Sequence, residues 1–206
     1  MAVAAFQLIG GDVALDFVNT VDWRADPTRR RDLLVAFEDL LAWAKASKLL
    51  GTAELRAMSA AARLHEAPAT RILGRARRLR EVLARVLAAA GRNTPPPDRD
   101  VRLLNAFLVA ALRHRRLEIR GATFFWSWTD GERDPFDSLI WPIVLAAAEL
   151  LASDSRTQIR ECAGEGCGWL FLDTSRTRRR RWCTMESCGN RAKARRFYQR
   201  SREASR

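Results

Sequence analysis

Four cysteines constrain this chain more than anything else in it. They stand as Cys162-Ala-Gly-Glu-Gly-Cys167 and Cys183-Thr-Met-Glu-Ser-Cys188, and the 206 residues contain no others. Four residues lie within each pair and fifteen between the pairs. A tetrahedral ion such as zinc takes four thiolates and closes its coordination with them, so paired, isolated cysteines of this kind imply one structural zinc held by Cys162, Cys167, Cys183 and Cys188. Two disulfides are the alternative. Met1 to Gly11 has neither the basic start nor the long apolar stretch of a secretory signal. A reducing compartment is therefore expected, which favours the metal over disulfides.

Charge concentrates around the same stretch. The chain carries a net +12; residues 156–206 hold fourteen Lys or Arg against five Asp or Glu, and residues 1–155 hold twenty-two against nineteen. A local excess of this size attracts polyanions by counterion release and steering. No apolar run approaches the ~20 residues that cross a bilayer. The expected setting is the cytoplasm of a bacterial-type cell, at the nucleoid when bound to DNA, with no membrane partner.

The first three-quarters of the chain reads as mostly helical. Phe6 to Val21, broken by Gly10-Gly11, suggests one or two extended pieces. Within it, Asp16, Asn19 and Thr20 are polar residues that either tie down backbone or line a ligand pocket. A loop follows from Trp23 to Arg31. Asp32 is expected to cap a helix running to Leu50, and Thr52 another running to about Glu66, where Pro68 ends it. A long helix spans Ala69 to Ala90, its arginines expected on the wet side, and Asn93 to Pro97 forms an extended linker. After a helix over Val101 to His114, the pattern switches to period two. Leu117 to Trp128 is expected to be a hairpin turning at Gly121, with Phe124, Trp126 and Trp128 on one face that helices or a ligand must cover. An apolar helix over Ser138 to Ala152 closes the segment. The only histidines, His65 and His114, fall on separate helices, and no catalytic constellation is visible, so an enzyme is not expected.

The fold class expected is α+β: a mainly helical N-terminal domain, residues 1–155, carrying a small β-hairpin, then a basic zinc module, residues 156–206. Within the module, Leu170 to Asp173 and Arg180 to Trp182 are expected to pair as a hairpin, with Trp169, Phe171 and Trp182 covering the metal. A helix then starts around Cys188. On a wheel of 100° per residue, Ala194, Phe197, Tyr198 and Asn190 form one stripe, expected to face inward, while Lys193, Arg195, Arg196, Arg200 and Arg202 form a broad cationic face. Such a face suits a major groove, where arginine reads guanine and grips phosphate. Arg176, Arg178, Arg179, Arg180 and Arg181 form a second group suited to phosphate, and Arg191 sits at the edge of the helix's two faces.

The run Cys162-x4-Cys167-Gly-x-Leu-Phe-x-Asp, followed by Arg-Trp-Cys183-x-Met-x-x-Cys188-Gly189-Asn190-Arg191-x-Lys193, resembles the CGNR zinc finger. Leu15-Asp16-Phe-Val-Asn19-Thr20, with the leucine-rich helix after it, resembles the ABATE domain that precedes this finger. The resemblance implies a treble-clef DNA-binding finger behind an α+β sensing domain, and a role in transcription regulation. The expected partner is duplex DNA, with RNA as the alternative. The first domain is expected to bind an unknown small-molecule effector, with Asp16, Asn19, Thr20, Trp126 and Trp128 as pocket candidates, or to form a homodimer, since one small finger covers little DNA.

Overall fold

In the computed structural model, which describes residues 6–129 and 136–204, Asp12 opens the first helix. Its Oδ1 accepts the Ala14 N–H at 2.8 Å, and α1 (Val13–Val18) follows. The extended reading of this stretch is thus corrected. Ala14, Leu15, Phe17 and Val18 are all buried, a helical spacing that a single short turn suffices to express. Two short strands, β1 (Val21–Asp22) and β2 (Arg31–Asp32), pair antiparallel across the loop between them.

Asp32 does not cap the next helix. Its Oδ1 takes the Leu34 N–H, the chain bends, and Asp39 then accepts from the Val35 and Ala36 N–H groups, so that α2 (Phe37–Ala46) starts later than its apolar pattern suggests. Helix α3 (Thr52–Leu64) is capped one residue earlier than expected, with Glu54 reaching back to the Gly51 N–H. Pro68 does not end a helix either. It lies in the first turn of α4 (Glu66–Gly91), where a missing N–H costs nothing.

Helix α4 is the axis of the molecule. It packs against α1, α2 and α3, and against α5 (Asp98–Leu112) and α6 (Trp141–Ala152), which come later in the chain. Of its arginines, Arg71, Arg78 and Arg85 are exposed as expected, Arg75 and Arg77 are half-buried, and Arg80 is buried. Arg80 is 2% exposed and grips Asp32 bidentately at 2.7 and 2.6 Å, with a third bond to Thr20 Oγ1. Arg77 donates to the Leu34 carbonyl, Arg85 holds Asp100 through two bonds, and Arg75 pairs with Asp137. Glu81, next to Arg80, receives Arg24 and Arg30 from the loop between β1 and β2. Among the described residues, no helix is long and apolar enough to cross a membrane.

The hairpin of β3 (Arg115–Arg120) and β4 (Thr123–Trp128) forms as its alternation predicts, turning at Gly121 with φ +61°. Its apolar face is not covered as expected. Only Trp128 reaches the body, against Trp141, which His114 also stacks on; Phe124 and Trp126 stay 64% and 61% exposed. The last pair of strands, β5 (Ile159–Glu161) and β6 (Leu170–Leu172), brackets the first cysteine pair. The hairpin expected between Leu170–Asp173 and Arg180–Trp182 is replaced by this one. Ile159 and Leu170 find the main core, while the buried Asp173 carboxylate turns the chain by accepting from Ser175 and from the Arg180 N–H.

Replacing Arg80 by Met roughly keeps side-chain volume but takes from Asp32 its bidentate partner; urea titration should show a loss of about 3 kcal/mol. Burial works against ionising Asp32 and Glu81, but Arg80 at Asp32 and Arg24 at Glu81 outweigh it and hold both carboxyls below their usual range. Stability from such depressed groups is complete above the unfolded value of about 4 and is lost as pH falls through the folded one. Stability of Arg80→Met is therefore expected to fall less steeply than that of the wild type below about pH 4, measured by acid titration of the denaturation midpoint.

Candidate metal centre and nucleic-acid interface

The four cysteine sulfurs lie within 4.8 Å of one another, all on buried residues. Cys167 and Cys183 are 3.8 Å apart, sulfur to sulfur, and Cys183 and Cys188 are 3.4 Å apart. A tetrahedron with zinc–sulfur distances of about 2.3 Å has edges of about 3.8 Å, whereas a disulfide needs about 2.05 Å. The donor set therefore fits one structural zinc. Hydrogen-bonded neighbours, the Cys162 sulfur first, push the thiols of Cys167 and Cys183 up, so the cluster carries thiolates together only around a cation. The backbone N–H groups of Gly164 and Cys183 point at the Cys162 sulfur, and Arg191 donates to that of Cys188 at 2.9 Å. These donors offset the negative charge that four thiolates leave on a divalent ion. Gly164 permits the approach, since a Cβ there would stand 2.7 Å from the Cys188 sulfur.

Local structure places each ligand. Cys162 and Cys167 flank the turn that joins β5 to β6, closed by Cys167 N–H to the Gly164 carbonyl. Cys183 follows the loop beyond Asp173. Cys188 lies in the wide helical turn Met185–Gly189, capped by Thr184 Oγ1 on the Ser187 N–H, which leads into α7 (Asn190–Ala204). Phe171, Trp169 and Trp182 pack around the sulfurs, as their positions in sequence suggest.

The N-terminal segment is joined to this site. The Asn19 amide takes the Leu170 N–H and donates to the Leu170 carbonyl, at 2.9 and 2.8 Å. Trp169 Nε1 donates to the Val21 carbonyl. Backbone N–H groups of Arg24 and Ala25 bond the carbonyls of Cys167 and Gly166. Trp23, at φ +52°, is stacked between Arg29 and Arg191, whose guanidinium carbons stand 3.1 and 4.5 Å from its ring centre. Nothing local in the sequence marks Trp23, Arg24 or Arg29 for this task. Their partners lie some hundred and forty residues away or more, apart from Trp23 and Arg29 themselves, and only the fold brings them together.

The pocket candidates separate. Asp16 accepts from the Gly10 N–H, Thr20 bonds the Phe17 carbonyl and Arg80, and Asn19 holds Leu170; all three tie down backbone or a neighbouring side chain. Burial raises the Asp16 carboxyl above its usual range, against the pull of that Gly10 bond. Trp126 is exposed under Arg115. Trp128 alone lines a cavity, of about 340 Å³, shared with Leu50, Met58, Ala61, Phe136 and Pro142.

The basic residues also divide. Arg176, Arg178 and Arg179 are exposed on the loop after β6, and Arg181 lies over the Trp182 ring. Arg180 turns inward, over Phe171 and onto the carbonyls of Trp182 and Cys183. Arg191 is drawn to Cys188 and Trp23, and Arg195 pairs with Glu165 of the first cysteine turn. Lys193, Arg196 and Arg200 are exposed on α7. The stripe expected to face inward does not. Ala192 is the one buried side chain described on α7, so Asn190 is exposed, and Phe197 and Tyr198 are 62% and 66% exposed. The helix touches the body through its first turn and Arg195, and its apolar side looks outward.

Comparison with known families agrees with the motifs. A model for the ABATE domain, described as "Putative stress-induced transcription regulator", matches residues 11–154. The model for the CGNR zinc finger matches residues 158–201. A search of curated proteins found no match.

Asn19→Ala removes both bonds to Leu170 and leaves that buried backbone unpaired, at an expected cost of about 3 kcal/mol. If the N-terminal segment braces the metal site, this variant should also release zinc faster to a chromogenic chelator. An unchanged release rate would separate the two.

Proposed function

Because the chain belongs to the ABATE family and ends in a CGNR zinc finger, we propose that it is a zinc-dependent, DNA-binding transcription regulator. The observation that carries this reading is α7. It projects from a closed zinc site, six of its residues are basic and one acidic, and Ala192 is its only buried side chain described. A cationic helix about 10–12 Å wide matches the major groove of duplex DNA, about 12 Å across. Arg176, Arg178 and Arg179, exposed on the loop after β6, supply a second cationic group suited to phosphate. Four thiolates leave zinc no open position for water, so its role is structural and no catalytic step is assigned to it. A thiolate site of this kind suits the reducing cytoplasm, and the regulator acts there at the nucleoid.

The ABATE domain acts in this reading as the sensing or dimerising part. The cavity beside Trp128, which Glu54, Thr129 and Ser138 also line, is of a size to take a small molecule. Since Asn19, Val21, Arg24 and Ala25 hold the cysteine turn directly, an event in the domain has a physical route to the finger.

Selection from a random duplex library with the zinc-loaded protein should enrich a sequence motif, and an inverted repeat within it would show a dimer. Cys183→Ser, which removes a ligand, is expected to abolish both stoichiometric zinc and duplex binding. Arg178→Ala and Arg179→Ala should each lower the slope of log affinity against log salt by about one unit. Preference for RNA over duplex DNA, or full binding by Cys183→Ser, would overturn the reading.

A further inference from the structure

The side of α7 that leads away from the body is apolar. At 100° per residue from Arg191, the buried Ala192 lies at about 100°, whereas Phe197, Asn190, Ser201, Ala194 and Tyr198 fall between about 240° and 340°, centred nearly opposite. Phe197 and Tyr198 pack edge to face against each other, with ring centres 5.8 Å apart. Cations border the stripe on both sides. Arg196, Arg200 and Lys193 lie between about 140° and 200°, and Arg202 and Arg195 at about 20° and 40°.

A second copy of this helix is a poor occupant for the stripe, because six basic residues against one acidic on each would repel along the whole contact. The occupant must be anionic at its edges and apolar in the middle. A major groove has that form. Its walls are phosphate rows, and its floor presents the methyl groups of thymine. We propose that α7 enters the major groove stripe first, with Phe197 and Tyr198 reading thymine methyls while Lys193, Arg196 and Arg200 on one border and Arg202 on the other grip the phosphates of the walls. This rests on the DNA-binding reading above and adds to it the contact that carries sequence preference.

The test compares a mixed-sequence duplex with the same duplex carrying uracil at every thymine. That change removes only the methyls and leaves phosphates and hydrogen-bonding groups alone. Full-length, zinc-loaded wild type should bind the thymine duplex about threefold to fivefold more tightly for each methyl it contacts. The variant with Phe197→Ala and Tyr198→Ala should lose that preference and about tenfold in affinity, with zinc content and salt slope unchanged, because no phosphate contact is removed. Tyr198 is the only tyrosine, so fluorotyrosine labelling gives one resonance, which should shift on adding the thymine duplex and less on adding the uracil one.

Equal binding of both duplexes by the wild type, or a preference that survives in the variant, overturns the inference while leaving DNA binding in place. So does a wild-type dimer that the variant dissociates, which would make the stripe a subunit seam. Tighter binding to single-stranded RNA, lost in the variant, would make it a base-stacking surface and overturn the inference as well. If the wild type binds no duplex at all, the DNA-binding reading fails, and this inference with it.

Discussion

Four sulfurs drawn to within 4.8 Å of one another set the geometry of the C-terminal quarter. Thiolates at that separation need a cation, and a cation with tetrahedral preference fixes the turn between β5 and β6 against the start of α7. The helix is oriented by this and by little else. Its remaining length makes almost no contact with the body, and its mean composition is too polar to bury a face. A helix of fifteen residues with one buried side chain is marginal by itself in water. Anchoring its first turn through Cys188 and Arg191 removes part of the nucleation cost.

The metal site in turn leans on the N-terminal segment. Main-chain bonds from Arg24 and Ala25 reach the residues around Cys167, and Asn19 completes the edge of β6. Ile159 and Leu170 belong to the main hydrophobic core, while Phe171, Trp169 and the cysteines form a second one beside it. The finger is therefore not tethered by a free linker. Its strands are part of the wall of the α-helical body, and the buried pair of Arg80 with Asp32 holds the β1–β2 loop from the other side.

Much of this was legible in the sequence. The metal ligands, the α+β class, the hairpin at Gly121 and the long α4 follow from spacing and periodicity, which are local properties. What escaped depended on distant partners. Asp32 has the chemistry of a helix cap, but Arg80, forty-eight residues away, claims its carboxylate. Arg71, Arg78 and Arg85 of α4 are on a wet face as the wheel has them, but a wheel cannot show that Asp32 and Thr20 cover Arg80. Asn19 reads first as a backbone tie and second as a pocket residue, and Leu170 decides for the tie. The wheel of α7 identified the stripe correctly and placed it on the wrong side, because amphipathicity gives the division of faces and not which one meets the protein.

That last reversal has a physical logic. A helix whose apolar side turned inward would present only arginines, and arginines gripping phosphate supply affinity without discrimination. Turning the apolar side outward costs exposed aromatic surface in the free protein. In the proposed complex it would place the uncharged groups at the groove floor and the cations at its walls. Arg191, bonded to the Cys188 sulfur and lying over Trp23, ties the first turn of α7 to the metal site. Trp23 also belongs to the loop that Arg80 and Glu81 secure through Asp32, Arg24 and Arg30. The loop and the first turn of α7 are thereby in direct contact through Trp23 and Arg191.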